Sequence, residues 1–220
     1  MFFKLLQNYN ILFLYLCKKT NMALSRSRQW WIFIRIPRIL FAKFLLWAMG
    51  WKYNYKIDRN VKQAIITVAP HTSNWDFILG RICYNALDIR VRFLIKKESF
   101  IFPFSIILRM WGGLPVDRKN PGNLKEMLAK KFDRYEEFML GITPEGTRKP
   151  NPRWKKGFYK IAMDANVPLA LTYLDYKKKY AEVGKLVYPT GDYSADMKII
   201  DEHFAQVTPK NPKGYVRPKY

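Results

Sequence analysis

The sequence predicts an α/β fold: a single domain with a mixed, largely parallel sheet flanked by helices, preceded by an N-terminal amphipathic helical segment. Three observations carry this expectation. Residues 64–69, the short stretch ahead of Arg118 and residues 138–142 are brief, apolar, β-rich runs, and each stops at a polar turn. The stretches between them repeat apolar residues at helical spacing, so strand and helix alternate as right-handed βαβ connections require. A length of 220 residues, 49% hydrophobic and 25% charged, suits one domain with a sizeable core.

Taken in order, the chain begins with an apolar run at 11–16 that follows Gln7, Asn8 and Asn10 and has no small-residue cleavage site after it, which argues against a signal peptide. Translation from Met22 is a plainer account of the first 21 residues. Residues 29–51 approach the length of a membrane span but contain Arg35, Arg38, Lys43 and the helix-kinking Pro37. Each cation near mid-bilayer costs about 2.5–3.5 kcal/mol on an insertion scale, so lying in the interface is favoured over crossing. There the cations meet lipid phosphates while Trp30, Trp31, Phe33, Phe44 and Trp47 enter the acyl boundary; the alternative is a helix packed on the core. The expected division is 1–55 for this membrane-associating segment, 56–205 for the globular domain and 206–220 for an extended basic tail.

Within the domain, 64–69 is expected to be a buried strand, and Thr72-Ser73-Asn74 offers an N-cap for a helix through Tyr84. Residues 91–95 read as a strand leading to Lys96 and Lys97. Residues 100–110 are apolar and are expected to fill the core rather than line a groove. Residues 121–138 form an amphipathic crossover helix with Leu124, Met127, Leu128, Phe132 and Tyr135 on one face. A helix over 154–165 and a strand over 167–174 follow, then a cationic loop at 176–180 and a short helix at 194–205.

Chemistry concentrates at the strand ends. His71 stands just past the first strand and Asp76 in the first turn of the next helix. On one continuous helix five residues is about 500°, which leaves the two side chains roughly 140° apart. Across a strand-to-helix turn, however, the carboxylate folds back on the imidazole, fixes its tautomer and stabilises the imidazolium formed when it takes a proton. No Ser or Cys is placed to complete a nucleophilic triad, so such a base acts on a substrate hydroxyl. The chain has two histidines, and His203 has no comparable context.

Three motifs in sequence order carry a family resemblance: His71-x4-Asp76, Gly113-x4-Arg118 and Pro144-Glu145-Gly146-Thr147-Arg148. Jointly they resemble the first three blocks of the glycerolipid acyltransferases, the glycerol-3-phosphate and 1-acylglycerol-3-phosphate acyltransferases. The fourth block departs from that pattern, because Val167-Pro168-Leu169-Ala170 is followed by Leu171 where a second proline is expected. The resemblance covers about residues 65–176. It implies transfer of a fatty acyl group from an acyl carrier protein or coenzyme A thioester, as co-substrate, to the free hydroxyl of 1-acylglycerol-3-phosphate (lysophosphatidate), with no further cofactor. In that reading His71 is the base and Asp76 orients it. Arg118 and Arg148 hold the acceptor phosphate, with Lys96 or Lys97 as a further phosphate contact. Glu145 holds a glycerol hydroxyl or orients an arginine, Gly146 allows close backbone approach and Thr147 adds a hydroxyl contact. A phosphate-free single-chain lipid such as an N-acyl amino acid lipid is the alternative acceptor.

The charge balance, 39 − 17 = +22, directs the surface toward polyanions. Nucleic-acid readers such as zinc-ligand spacing, an RNA-recognition signature or a basic heptad region are absent from the sequence, so an anionic membrane is the expected partner and nucleic acid is not. A non-catalytic basic membrane-binding protein would account for the charge but leave His71, Asp76 and residues 145–148 unexplained. Cys17 and Cys83 are too few for a disulfide framework and no metal-ligand spacing is readable, which suggests a reducing compartment and no metal. The expected location is the cytoplasmic face of a bacterial inner membrane.

Overall fold

The computed structural model describes the backbone of residues 26–117 and 121–220, and the side chains of 35–117 and 124–220. The expectation that translation starts at Met22, the placing of Trp30, Trp31 and Phe33 in the acyl boundary, and the role given to Arg118 therefore fall outside what is described. The chain divides into two units, 1–38 and 39–220. The described part of the first is helical, as the opening stretch of α1 (Arg26–Ala48), with Pro37 inside that helix. No described helix is long and apolar enough to cross a membrane.

Among the described residues the second unit holds seven strands: β1 (Lys52–Tyr55), β2 (Gln63–Val68), β3 (Val91–Lys96), β4 (Gly113–Val116), β5 (Phe138–Ile142), β6 (Leu169–Asp175) and β7 (Tyr180–Val187). They form one sheet in the order β1-β7-β6-β2-β5-β3-β4. β6, β2, β5, β3 and β4 run parallel, whereas β7 runs antiparallel to β6 and carries β1 parallel to itself. The mixed, largely parallel sheet is thus the one expected from the alternation of strand and helix.

The helices are α2 (Asn74–Ala86), α3 (Phe104–Met110), α4 (Pro121–Arg134), α5 (Gly157–Ala165) and α6 (Tyr193–Phe204). α2 starts where Ser73 caps it: the Ser73 hydroxyl accepts from Trp75 N while the Asp76 carboxylate accepts from Ser73 N. α4 stops at Arg134, four residues short of the expected end, because Phe138 is claimed by β5 and buried against Phe132. The main core gathers Ile65, Leu140, Leu169 and Leu171 from the sheet with Leu128, Phe132, Phe158, Ala162, Met197 and Phe204 from the helices. Burial of each large side chain contributes about 1.5–3 kcal/mol.

Three expectations are revised. Residues 39–55 were assigned to the N-terminal segment, yet Ala42, Leu46 and Trp51 pack with Leu79, Cys83 and Leu174, and β1 extends the sheet. Residues 100–110 do not fill the core: α3 buries none of its residues. The hairpin of β6 and β7 was not foreseen, because β7 (YAEVGKLV) interrupts its alternation with Gly184.

The C-terminal segment is extended apart from a short turn of 3-10 helix, and it is bonded to the domain at several points. Tyr176 N donates to Thr208 O at 2.9 Å and Lys219 N to Pro152 O at 2.8 Å. The Arg217 guanidinium donates to both carboxylate oxygens of Asp201, with Nη2 at 2.6 Å from Oδ2.

Candidate active site

Parallel strands deliver their following loops to one edge of the sheet, and neighbouring strands deliver neighbouring loops. β2 lies between β5 and β6, so the turn after β2 meets the turn after β5 on one side and the loop after β6 on the other. That arrangement builds the site.

His71 leads the turn after β2. Its Nδ1 lies 3.1 Å from Asp76 Oδ2, the same oxygen that accepts from Thr72 N and Ser73 N, each at 2.8 Å. The other oxygen, Oδ1, accepts from the Tyr176 hydroxyl at 2.7 Å. Asp76 is 4% exposed. Burial alone would raise its pKa, but the bonds from His71, Tyr176 and Ser73 outweigh that and hold it below the ordinary aspartate value. The carboxylate is therefore charged at neutral pH. Burial and the bond to Asp76 push the Tyr176 phenol well above its usual range, so it remains a donor. With Nδ1 turned to Asp76, Nε2 is the imidazole nitrogen left for a substrate, and His71 lines the main cavity.

Glu145, in the turn after β5, is 2% exposed, and its Oε1 accepts from His71 N at 2.8 Å. Asn151 Nδ2 donates to its carbonyl at 2.9 Å. Burial, opposed by the His71 N–H and helped by the nearby Asp76 charge, lifts Glu145 to about 7. Between its unfolded value near 4.5 and about 7, folded Glu145 holds a proton that the unfolded chain has released. Stability therefore falls as pH rises through that window, by about 3 kcal/mol for a shift of this size. Glu145→Gln retains an oxygen acceptor for His71 N and cannot ionise. It is expected to stabilise the protein by about that amount at pH 8 and by little at pH 4.5, which thermal melts at the two pH values check.

The remaining expected residues take graded positions. Gly146 lines the cavity with a φ of 66°, a conformation that favours glycine, and a Cβ there would lie 2.7 Å from Cε of the flexible Lys155 side chain, which would have to shift. Thr147 is half-buried, and its hydroxyl accepts from Lys149 N at 3.2 Å within the turn. Arg148 is exposed beside it. Lys96 ends β3 on the same sheet edge, also exposed, and does not line the cavity. Asp117, the last described residue before Arg118, does line it.

The sequence reading missed several contributors. In sequence Tyr176 belongs to a cationic loop, and nothing local marks it as a partner of Asp76 one hundred residues away. Asn211 donates from its backbone N to Thr72 Oγ1 at 3.1 Å and from Nδ2 to Thr72 O at 2.9 Å, so the C-terminal segment braces the turn that carries His71. Lys155 reads in sequence only as part of a helix start, and in the structure its stem covers Gly146.

The cavity has a volume of about 610 Å³ and runs from His71 and Asp76 between α2 and the sheet, walled by Phe77, Tyr84, Leu87, Phe93, Ile142 and Val183 among others. A mostly apolar cavity with an oriented imidazole in its wall suits a substrate with a reactive head and a hydrocarbon tail.

Comparison with known proteins shows what the chain as a whole is similar to. A 1-acyl-sn-glycerol-3-phosphate acyltransferase of Streptococcus pneumoniae (strain ATCC BAA-255 / R6) is 31% identical over 115 residues, covering 49% of this chain and 41% of that relative. The crystal structure of the 1-acyl-sn-glycerophosphate (LPA) acyltransferase PlsC from Thermotoga maritima superposes with a TM-score of 0.54 over 90% of both chains at 13% identity, a likeness of fold. The family model named Acyltransferase matches residues 52–172, which hold β1 through most of β6 and every described group of the His71 turn, and the chain belongs to the acyltransferase family.

Proposed function

We propose that the protein transfers a fatty acyl group from an acyl thioester to the free hydroxyl of 1-acylglycerol-3-phosphate, forming phosphatidate for phospholipid synthesis. The observation that carries this reading is the His71–Asp76 pair in the wall of a mostly apolar cavity. His71 Nε2 takes the hydroxyl proton as the acceptor oxygen attacks the thioester carbonyl. The carbon–sulfur bond then breaks, and the departing thiolate recovers the proton from the imidazolium. Asp76, charged and fixed by its own donors, holds the tautomer and offsets the positive charge. No acyl-enzyme intermediate is needed.

Arg148 on the turn after β5 and Arg118 beyond Asp117 are assigned to the acceptor phosphate, and Lys155, lying over Gly146, adds a cation at the cavity wall. The acyl chain fills the apolar interior. Glu145 is assigned to bracing His71 through its backbone N–H, in place of the glycerol contact suggested by the resemblance. The protein is assigned to the surface of an anionic membrane, with either acyl carrier protein or coenzyme A carrying the donor.

The test is radiolabelled acyl transfer from each donor to a panel of single-chain lipids. Transfer to lysophosphatidate is the expected result. Transfer only to a phosphate-free lipid would keep the base and replace the acceptor, and no transfer to any lipid would remove the enzymatic reading.

A further inference from the structure

The segment at residues 101–111, IFPFSIILRMW, has the composition of a core element and the exposure of a surface one. Phe102 is 79% exposed, Met110 76%, Ile101 67% and Phe104 65%. Contiguous apolar surface of this kind marks an interaction site. The segment is firmly mounted. Gly112, at a φ of 84°, lets its backbone close against Val91 O, where a Cβ would lie at 2.7 Å, and Gly113 does the same against Leu108 O at 2.8 Å. Gly112 O also accepts from Phe93 N at 3.0 Å.

This face continues inward to the site. Trp111 lies 6.0 Å from Phe77, and Phe77 lies 5.2 Å from Phe93, both of which wall the cavity. The charge around it has one sign: residues 91–111 carry Arg92, Lys96, Lys97 and Arg109 against Glu98 alone, in a chain of net charge +22. All four cations are exposed, and the Arg109 guanidinium lies over the Phe100 ring at 5.5 Å. Long basic side chains beside an apolar face suit lipid phosphates above a hydrocarbon boundary.

Around α3, at about 100° per residue, exposed Phe104, Ile106, Met110 and Ile107 lie near 0°, 200°, 240° and 300°, one apolar arc of about 160°, with half-buried Ser105 and Leu108 on the other side. The charge beside that arc identifies the occupant: an anionic leaflet supplies hydrocarbon for the apolar side chains and phosphates for Arg92, Lys96, Lys97 and Arg109 together. We propose that residues 101–111 are a lipid-docking element that enters an anionic leaflet and sets the cavity mouth at the membrane surface. Docking stands on this surface alone; the passage of a lipid acceptor from leaflet to cavity rests on the acyltransferase reading above.

The test uses the full chain with Phe102→Glu and Ile106→Glu combined, and separately with Phe102→Ser and Ile106→Ser, which add no charge. Co-sedimentation is measured on vesicles of phosphatidylcholine alone and of phosphatidylcholine with phosphatidylglycerol. The wild type is expected to prefer the anionic vesicles. Both double variants are expected to lose about tenfold or more in partitioning, since each buried side chain of this size is worth at least that factor. Turnover of a short-chain acceptor dispersed below its micelle concentration is expected to be unchanged, while turnover of vesicle-borne acceptor falls. Unchanged vesicle partitioning in both double variants overturns the proposal. So does a loss confined to self-association in sedimentation velocity, or to binding of acyl carrier protein, because the occupant is then a protein. Absence of acyl transfer to any lipid would end the acyltransferase reading and leave the partitioning result to decide docking by itself.

Discussion

Replacing His71 by alanine is expected to lower acyl-transfer kcat by about 10²–10⁴-fold, the usual contribution of a positioned general base, and to leave the fold intact. The expectation of an intact fold follows from the bonds that remain. Asp76 keeps Thr72 N, Ser73 N and the Tyr176 hydroxyl as donors, so no buried charge is stranded when the imidazole is removed. The His71 backbone N–H to Glu145 also survives the substitution. Turnover of the purified variant beside its circular-dichroism melt checks both halves. Wild-type kcat/KM in a folded variant would remove His71 as the base.

Asp76→Asn is expected to fall into the same 10²–10⁴-fold range through a different cause. An amide with its oxygen in the place of Oδ2 still accepts from His71 Nδ1, Thr72 N and Ser73 N, and its NH2 group can donate to the Tyr176 oxygen. The hydrogen-bond geometry is therefore retained, and what disappears is the charge that offsets the imidazolium. The expected signature is a large fall in kcat with little change in KM for the acceptor, and a melting temperature lowered at neutral pH, where the charged carboxylate stabilises the fold, more than at acid pH. A variant with full kcat would show that orientation alone suffices. The wild-type carboxylate has a folded pKa below its unfolded value, so its contribution to stability is present above about 4 and is lost as pH falls through the folded value.

How much of this could be read in advance depends on the range of the interaction. The β2 strand, its turn and α2 are written within residues 63–86, and so is the capping pair Ser73 and Asp76. The 3.1 Å contact between His71 and Asp76 closes across five residues and follows from the turn alone. The Gly146 turn is legible for the same reason, since a positive φ is a local demand on residue type.

Contacts between distant segments were not legible. Tyr176 reaches Asp76 because β6 is the neighbour of β2, and Glu145 reaches His71 because β5 is the neighbour on the other side. Strand order is a property of the whole sheet, and no local pattern states it. Asn211 and Thr72 are separated by 139 positions, and an Asn in a basic, proline-containing segment looks the same whether it is solvated or bonded.

The most informative divergence is at residues 100–110. Their hydrophobicity predicts burial and the fold exposes them, because composition records how much apolar surface a segment has but not whether the fold supplies a partner for it. By itself the sequence determined the α/β class, the five strands that build the parallel core and the His71–Asp76 pair, all of which rest on short-range periodicity, capping and turn chemistry. The tertiary structure alone decided which loops converge on that pair, how Glu145 is buried into an abnormal pKa, and that an apolar segment faces outward. Each of these depends on which strands lie side by side and what is left uncovered when they do.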